Sequence, residues 1–281
     1  MEGQVWRIVE SFLRGAQPAS GRFRFSDAQI LRVVLWAVVH DRPMVWACRA
    51  EHWAGRWRPA RLPHPSTISR RWRSPALQQE ARRLYQEAVE HLGGGGRYVA
   101  IDGRPLVVGG CSKDPDAQPG WGAGSLARGY KMYAAVDTQQ VILAYQIHPM
   151  SLAEQTVALS LLPQLPPEVT RVVGDAIYDS MKLHRVAAAS GRRLYTPLRE
   201  NRVGRRQQPR RLQLLRLLQR RVGRRLMIWR IGIERTFGNN TTISFGYKGL
   251  PAWARRSHRV ERWMWGKTFL YHAWLLQKRE N

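Results

Sequence analysis

Three acidic residues, far apart in the chain, have the types and settings that metal-assisted phosphate chemistry needs: Asp102, Asp175 and Glu234. Asp102 ends the short apolar run Tyr98-Val99-Ala100-Ile101, and Asp175 follows Arg171-Val172-Val173-Gly174. In α/β sheets functional groups collect beyond the carboxyl ends of strands, where rigid backbone holds them beside a crevice. Two carboxylates brought within a few ångströms repel each other unless a cation lies between them. Glu234 is the one carboxylate between residues 201 and 260, among fifteen arginines and Lys248. Arg230 and Glu234, spaced i, i+4, share a face if the segment is helical. A lone acid there also fits a counterion; the strand-end aspartates favour the ligand reading, because a third carboxylate from a crossing helix completes the ligation. Few, hard oxygen ligands suit Mg²⁺, with Mn²⁺ able to substitute. Two such ions, about 3.5–4 Å apart, serve an in-line displacement at phosphorus, with water as nucleophile for cutting or a 3′-hydroxyl for joining.

The charge balance agrees. Forty-six Lys and Arg against twenty Asp and Glu leave a formal +26 on 281 residues. Arginine-rich codon usage accounts for part of that excess but not for its clustering, and a polyanion with phosphates to neutralise is the natural partner. With 44% hydrophobic residues and 12 Trp the chain has ample material for a core. Cys48 and Cys111 are too few for a disulfide framework or a cysteine zinc site, which suggests a reducing compartment. The opening Met1 to Arg14 lacks the features of a signal peptide, and the most apolar run, Ile30 to Val39, is short and contains Arg32. A soluble, cytoplasmic protein with no membrane partner is expected.

The elements that must position these acids fall into two groups. Residues 1–92 read as helical. Ser26 and Gln29 form a capping-box pattern ahead of Ile30, Val33, Val34 and Trp36 to Val39. Prolines at 63 and 65 stop one element, and Ser66 can cap a short helix carrying Ser69, Arg70 and Arg71. That helix fits the second helix of a helix-turn-helix, and equally a solvated basic face. Ser74-Pro75 opens another helix with Leu84, Ala88 and Leu92 at helical spacing. Gly93 to Gly96 breaks it, so a glycine-rich linker over 93–97 is expected to separate a DNA-binding or dimerisation domain from an α/β domain over 98–281.

After the linker, strands at 98–101, 130–136 and 141–147 precede a helix at 152–162, a strand at 171–174, a helix at 180–190, a strand at 193–196 and a long helical region through Glu234. Asp137 to Gln140 reads as a hairpin turn. That order is the ribonuclease H topology, a mixed five-stranded sheet with helices on both faces. The segment 201–230 holds eleven arginines and no acid. Its leucines, Leu212, Leu214, Leu215, Leu217 and Leu218, are expected to face inward while the arginines face a phosphate backbone. Asp179 reads as an N-cap, Asp114 and Asp116 as solvated loop residues, and Trp263 and Trp265 as core.

Several blocks, in order, resemble the catalytic domain of IS4/IS5-type bacterial insertion-sequence transposases over residues 97 to 275. They are Ile101-Asp102-Gly103, Gly129-Tyr130-Lys131, Val136-Asp137, Gly174-Asp175-Ala176-Ile177-Tyr178-Asp179-Ser180, Pro197-Leu198-Arg199-Glu200-Asn201 and Ile233-Glu234-Arg235-Thr236-Phe237. The resemblance implies a DDE triad at Asp102, Asp175 and Glu234, Mg²⁺ dependence with two ions per site, and a homodimer working on terminal inverted repeats and target DNA. The protein would then be nucleoid-associated when bound. Arg70, Arg71, Lys131, Arg202, Arg205, Arg206, Arg230, Arg235 and Lys248 are the expected DNA contacts. Many relatives have a Tyr where this chain has Met227 and a Lys where it has Thr241; with Trp229, Arg235 or Lys248 left to grip DNA, no hairpin intermediate is expected. Pro149-Met150-Ser151 also lacks the Asn and Asp frequent there. A DNA-binding protein without catalysis, and a metal-dependent nuclease without strand transfer, are the competing readings.

Overall fold

The computed structural model describes residues 2–16, 23–122, 124–197, 209–243, 246 and 249–280. The chain forms two compact units, one of Met1–Gly93 with Asn240–Asn281 and one of Gly94–Asn239. In the first, helices α1 (Glu2–Arg14), α2 (Asp27–Val39), α3 (Met44–Ala47), α4 (Pro65–Trp72) and α5 (Pro75–His91) follow one another. The capping box holds: Ser26 Oγ accepts from the Gln29 amide and the Gln29 side chain accepts from the Ser26 amide. Ser74 caps α5 as expected. The cap of α4 is His64 rather than Ser66, because Pro65 at the first helical position moves the start upstream and the His64 ring accepts from the Ser66 amide.

The second unit is built on β1 (Tyr98–Val107), β2 (Gln118–Gly122), β3 (Ser125–Asp137), β4 (Ile142–Pro149), α6 (Glu154–Leu161), β5 (Arg171–Val173), α7 (Met181–Ala189), β6 (Arg193–Tyr195), α8 (Pro209–Gln219) and all but the last turn of α9 (Arg221–Thr242). The sheet runs β2-β3-β1-β5-β6, with β4 also on β3. β1 is antiparallel to β3, and β5 is parallel to both β1 and β6. The expected ribonuclease H-like mixed sheet is present, with one strand more. β2 was hidden in a Gly- and Pro-rich segment and lies close to its neighbours. A Cβ on Gly120 of β2 would stand 2.3 Å from the Met150 oxygen just past β4, so only glycine fits there.

Asp137 makes the expected turn, its Oδ1 accepting from the Gln139 and Val141 amides at 2.8 and 2.9 Å. Asp114 departs from expectation. It is 3% exposed and accepts from the Tyr130 hydroxyl at 2.8 Å, because its loop folds onto β3, where Arg128 donates to the carbonyls of Asp114 and Ala117. Over β5 and β6, Leu226 joins Val173 and Tyr195 in a cluster that Leu217 and Leu218 of α8 flank. Leu212 remains exposed, and the side chains of Leu214 and Leu215 lie outside the described residues. α9 is further fixed by Trp229 edge-on to Tyr98 and by Arg104 donating to the Phe237 carbonyl at 2.7 Å.

The last helix, α10 (Ser257–Glu280), belongs to the first unit, packing on α1, α2 and α5. It was expected in the second domain. Between Val260 and Leu275 all but Glu261 is buried, including Trp263 and Trp265, and a helix buried all round has to be encircled by other elements. Even Lys267 is enclosed, its ammonium 2.8 Å from Asp41.

Candidate active site

Pairing between β1 and β5 stops at Ala100 and Val173, while β1 continues along β3 to Val107. Asp102 therefore lies within a strand, not after one, yet still at the point where the sheet splits beyond the carboxyl end of β5. Its Oδ1 accepts from the Gly103 amide at 2.8 Å. Asp175, two residues past Val173, opens a short 3₁₀ turn, Ala176–Tyr178, and accepts from the Ile177 amide at 2.8 Å. Burial first, then the carboxylates of Glu154 and Asp175, push Asp102 up to about 6, against the Gly103 amide and Arg230. Burial and then Glu154 raise Asp175 too, opposed by the Ile177 amide and Arg230. Two aspartates from neighbouring strands thus share one electrostatic neighbourhood, where each finds ionisation disfavoured.

Glu154 was missed by the sequence reading. It is the first residue of α6 and largely buried. Its Oε1 accepts from Lys131 Nζ at 2.9 Å and its Oε2 from the Tyr178 hydroxyl at 2.8 Å. An acid opening an apolar helix is the sequence signal that could have marked it, since carboxylates favour helix N-termini. Lys131, expected at DNA, is instead enclosed and neutralised by Glu154.

Glu234 does not join the pair. Its side chain is 52% exposed and held by Arg230 at 3.0 Å, on the shared helix face the spacing indicated. The charge of Arg230 acts on both aspartates, whereas the main charges acting on Asp102 are Glu154, Asp175 and Arg230. Among the described residues no three Asp, Glu, His or Cys side chains are gathered tightly enough to hold one metal ion. Two of the three expected ligands come together. The all-oxygen donor set and the raised affinity of both acids for a proton fit a hard divalent cation at Asp102 and Asp175.

The expected DNA contacts divide. In the helical unit a cleft of about 750 Å³ is lined by Phe23, Arg24, Arg61, His64 and Arg70 among others. Arg70 is exposed there. Arg71 is not available: it is 6% exposed, donates to the Phe25 carbonyl at 2.9 Å and is ion-paired with Asp27. Arg235 is exposed on α9. Arg202, Arg205, Arg206 and Lys248, with the Leu198-Arg199-Glu200-Asn201 part of one motif, lie outside the described residues. Asp179 is buried facing His184 at 3.8 Å, and α7 begins after Ser180 with no side-chain cap.

A ribonuclease H-like sheet with aspartates on β1 and just after β5 defines the class of α/β domain. The profile of the family described as "Transposase DDE domain" matches residues 93–272, and the chain belongs to that family. Its enzymes are of the nucleotidyl-transferring type and generally use divalent metal ions. A solved structure entitled "Cryo-EM structure of piggyBac transposase synaptic complex with hairpin DNA (SNHP)" is similar at 10% identity and a TM-score of 0.48, covering 99% of this chain and 72% of that one. No curated protein sequence matches the chain. Among the described residues no helix is long and apolar enough to cross a membrane.

Proposed function

We propose that this chain is the transposase of a bacterial insertion sequence of IS4/IS5 type, binding terminal inverted repeats and catalysing strand cleavage and strand transfer. The observation that supports this most is the pair Asp102 and Asp175, juxtaposed at the split of β1 from β5 with both acids raised. Asp102, Asp175 and Glu234 are the proposed ligands, and Glu234 reaches the pair only after exchanging Arg230 for another partner. Magnesium, as two ions or with manganese in its place, would supply activation of the attacking oxygen and neutralisation of the leaving one. Arg230, released at the same moment, is free to take a phosphate oxygen near the cut.

The functional division follows the glycine linker at 93–97. The helical unit takes DNA through Arg24, Arg61 and Arg70, and Arg202, Arg205, Arg206, Arg235 and Lys248 add to the grip on DNA ends and target. The working form is a homodimer on double-stranded DNA, cytoplasmic and nucleoid-associated. Incubating a labelled inverted-repeat end with the protein and Mg²⁺ tests the reading, joined products being the expected result. Nicks without joining would leave a nuclease, and binding without chemistry a DNA-binding protein that has lost catalysis.

A further inference from the structure

The elements that carry the two aspartates converge on one largely buried carboxylate, that of Glu154. Tyr178 stands three residues after Asp175 and donates its hydroxyl to Glu154 Oε2 at 2.8 Å. Lys131 lies on β3 opposite Pro105 of β1 and gives its ammonium to Glu154 Oε1 at 2.9 Å. Gly103, directly after Asp102, closes the third side: a Cβ there would stand 2.9 Å from Lys131 Cδ and 3.1 Å from Glu154 Cδ. β1 therefore packs against the Lys–Glu pair at the residue next to Asp102. The turn after β5 is fastened to the same pair by Tyr178.

A buried Lys–Glu–Tyr network is a poor way to gain stability, because the desolvation of its charges offsets most of their attraction. It is a good way to hold geometry, since every oxygen of the carboxylate has one fixed donor. Two repelling aspartates need such a constraint. Left to themselves they would spread apart and widen the gap a cation has to bridge.

We propose that Glu154 is a positioning residue: its carboxylate ties the strand bearing Asp102 to the turn bearing Asp175 and sets the distance between the two acids. This rests on the reading of Asp102 and Asp175 as metal ligands. Glu154 acts through Lys131 and Tyr178 and does not itself touch the ion.

Binding of Mn²⁺ alone to the full chain, followed by the loss of the free-ion paramagnetic resonance signal, tests this without any DNA or turnover. Tyr178→Phe removes one arm and nothing else, and a lost hydroxyl leaves the fold intact even where Glu154→Gln does not. Both variants should bind Mn²⁺ about 10–100-fold more weakly, the usual cost of removing a group that orients metal ligands. A Tyr178→Phe variant that binds like wild type, with Asp102→Asn having lost binding, overturns the tie. So does a Glu154→Gln variant devoid of binding beside an unaffected Tyr178→Phe, which would make Glu154 a ligand. Wild-type binding by Asp102→Asn would instead overturn the site reading beneath the proposal.

Discussion

Arg230 and Glu234 stand one turn apart on α9 and hold each other at 3.0 Å, while the charge of that same arginine acts on Asp102 and Asp175. The helix thus brings its arginine into the field of the aspartates and leaves its glutamate half in solvent. Nothing in the fold depends on an exposed i, i+4 pair, whose contribution is a few tenths of a kcal/mol. Glu234→Gln should therefore melt within about 0.5 kcal/mol of wild type. Its strand cleavage should fall by more than about a hundredfold, beyond the loss seen when only a metal's outer partners are removed. Wild-type cleavage by this variant would remove Glu234 from the catalytic set.

Asp102 gives a prediction about pH. Its proton is held up to about 6 in the folded protein against an ordinary 3.8, so between those values the folded chain binds more protons at this site than the unfolded chain does. Stability from this group is full below about 4 and is lost as pH rises through about 6. In a chelator, the difference in melting temperature between Asp102→Asn and wild type should grow in the variant's favour from pH 4 to pH 7. A difference that shrinks would mean the carboxylate is stabilised, not repelled. Cleavage should run the other way, rising with pH through the same window, and the rise should move to lower pH at higher Mg²⁺ because cation and proton compete for one carboxylate.

What could be read in the sequence was local. The capping box at Ser26 and Gln29, the turn at Asp137 and the Arg230–Glu234 spacing involve residues a few positions apart, and short-range geometry settles them. The order of five of the six strands was legible too, because apolar runs and helical periods alternate in a pattern few topologies accept, whereas β2 carries no apolar run to mark it. Glu154 was not legible, since its partners lie at 131 and 178 and a sequence shows a charge without showing what faces it. Lys131 and Arg71 failed for the same reason in reverse: each reads as a free cation and each is buried on an acid. The packing of α10 on α1, α2 and α5 was not legible, because burial on every side says that a helix is surrounded, not by which elements.

Arg70 and Arg71 should separate cleanly, although they are neighbours on α4. Arg71→Ala strands Asp27 without its partner in a buried site, which costs about 3–5 kcal/mol and should be seen as an early denaturant midpoint. Arg70→Ala should leave that midpoint unchanged. It should weaken DNA binding evenly across sequences and lower the salt dependence of the affinity by about one counterion. The same salt slope in Arg70→Ala and wild type would take this cleft out of the DNA-binding surface.

Gly266 tests the assignment of α10 to the helical unit. A Cβ at this position would stand 2.9 Å from both methyl carbons of Val38 on α2, closer than real contacts allow, and a β-branched valine in a helix has one strongly preferred rotamer and little room to turn away. Gly266→Ala would ordinarily favour a helix by up to about 1 kcal/mol through the unfolded chain. Here the overpacking should win, with a net loss of about 1–3 kcal/mol in urea unfolding. Val38→Ala removes the methyls that the new Cβ meets, so the double variant should be more stable than the sum of the single changes predicts. A coupling energy near zero in that cycle would mean that α10 and α2 are not packed together at this point, and the helical unit would have to be assembled differently.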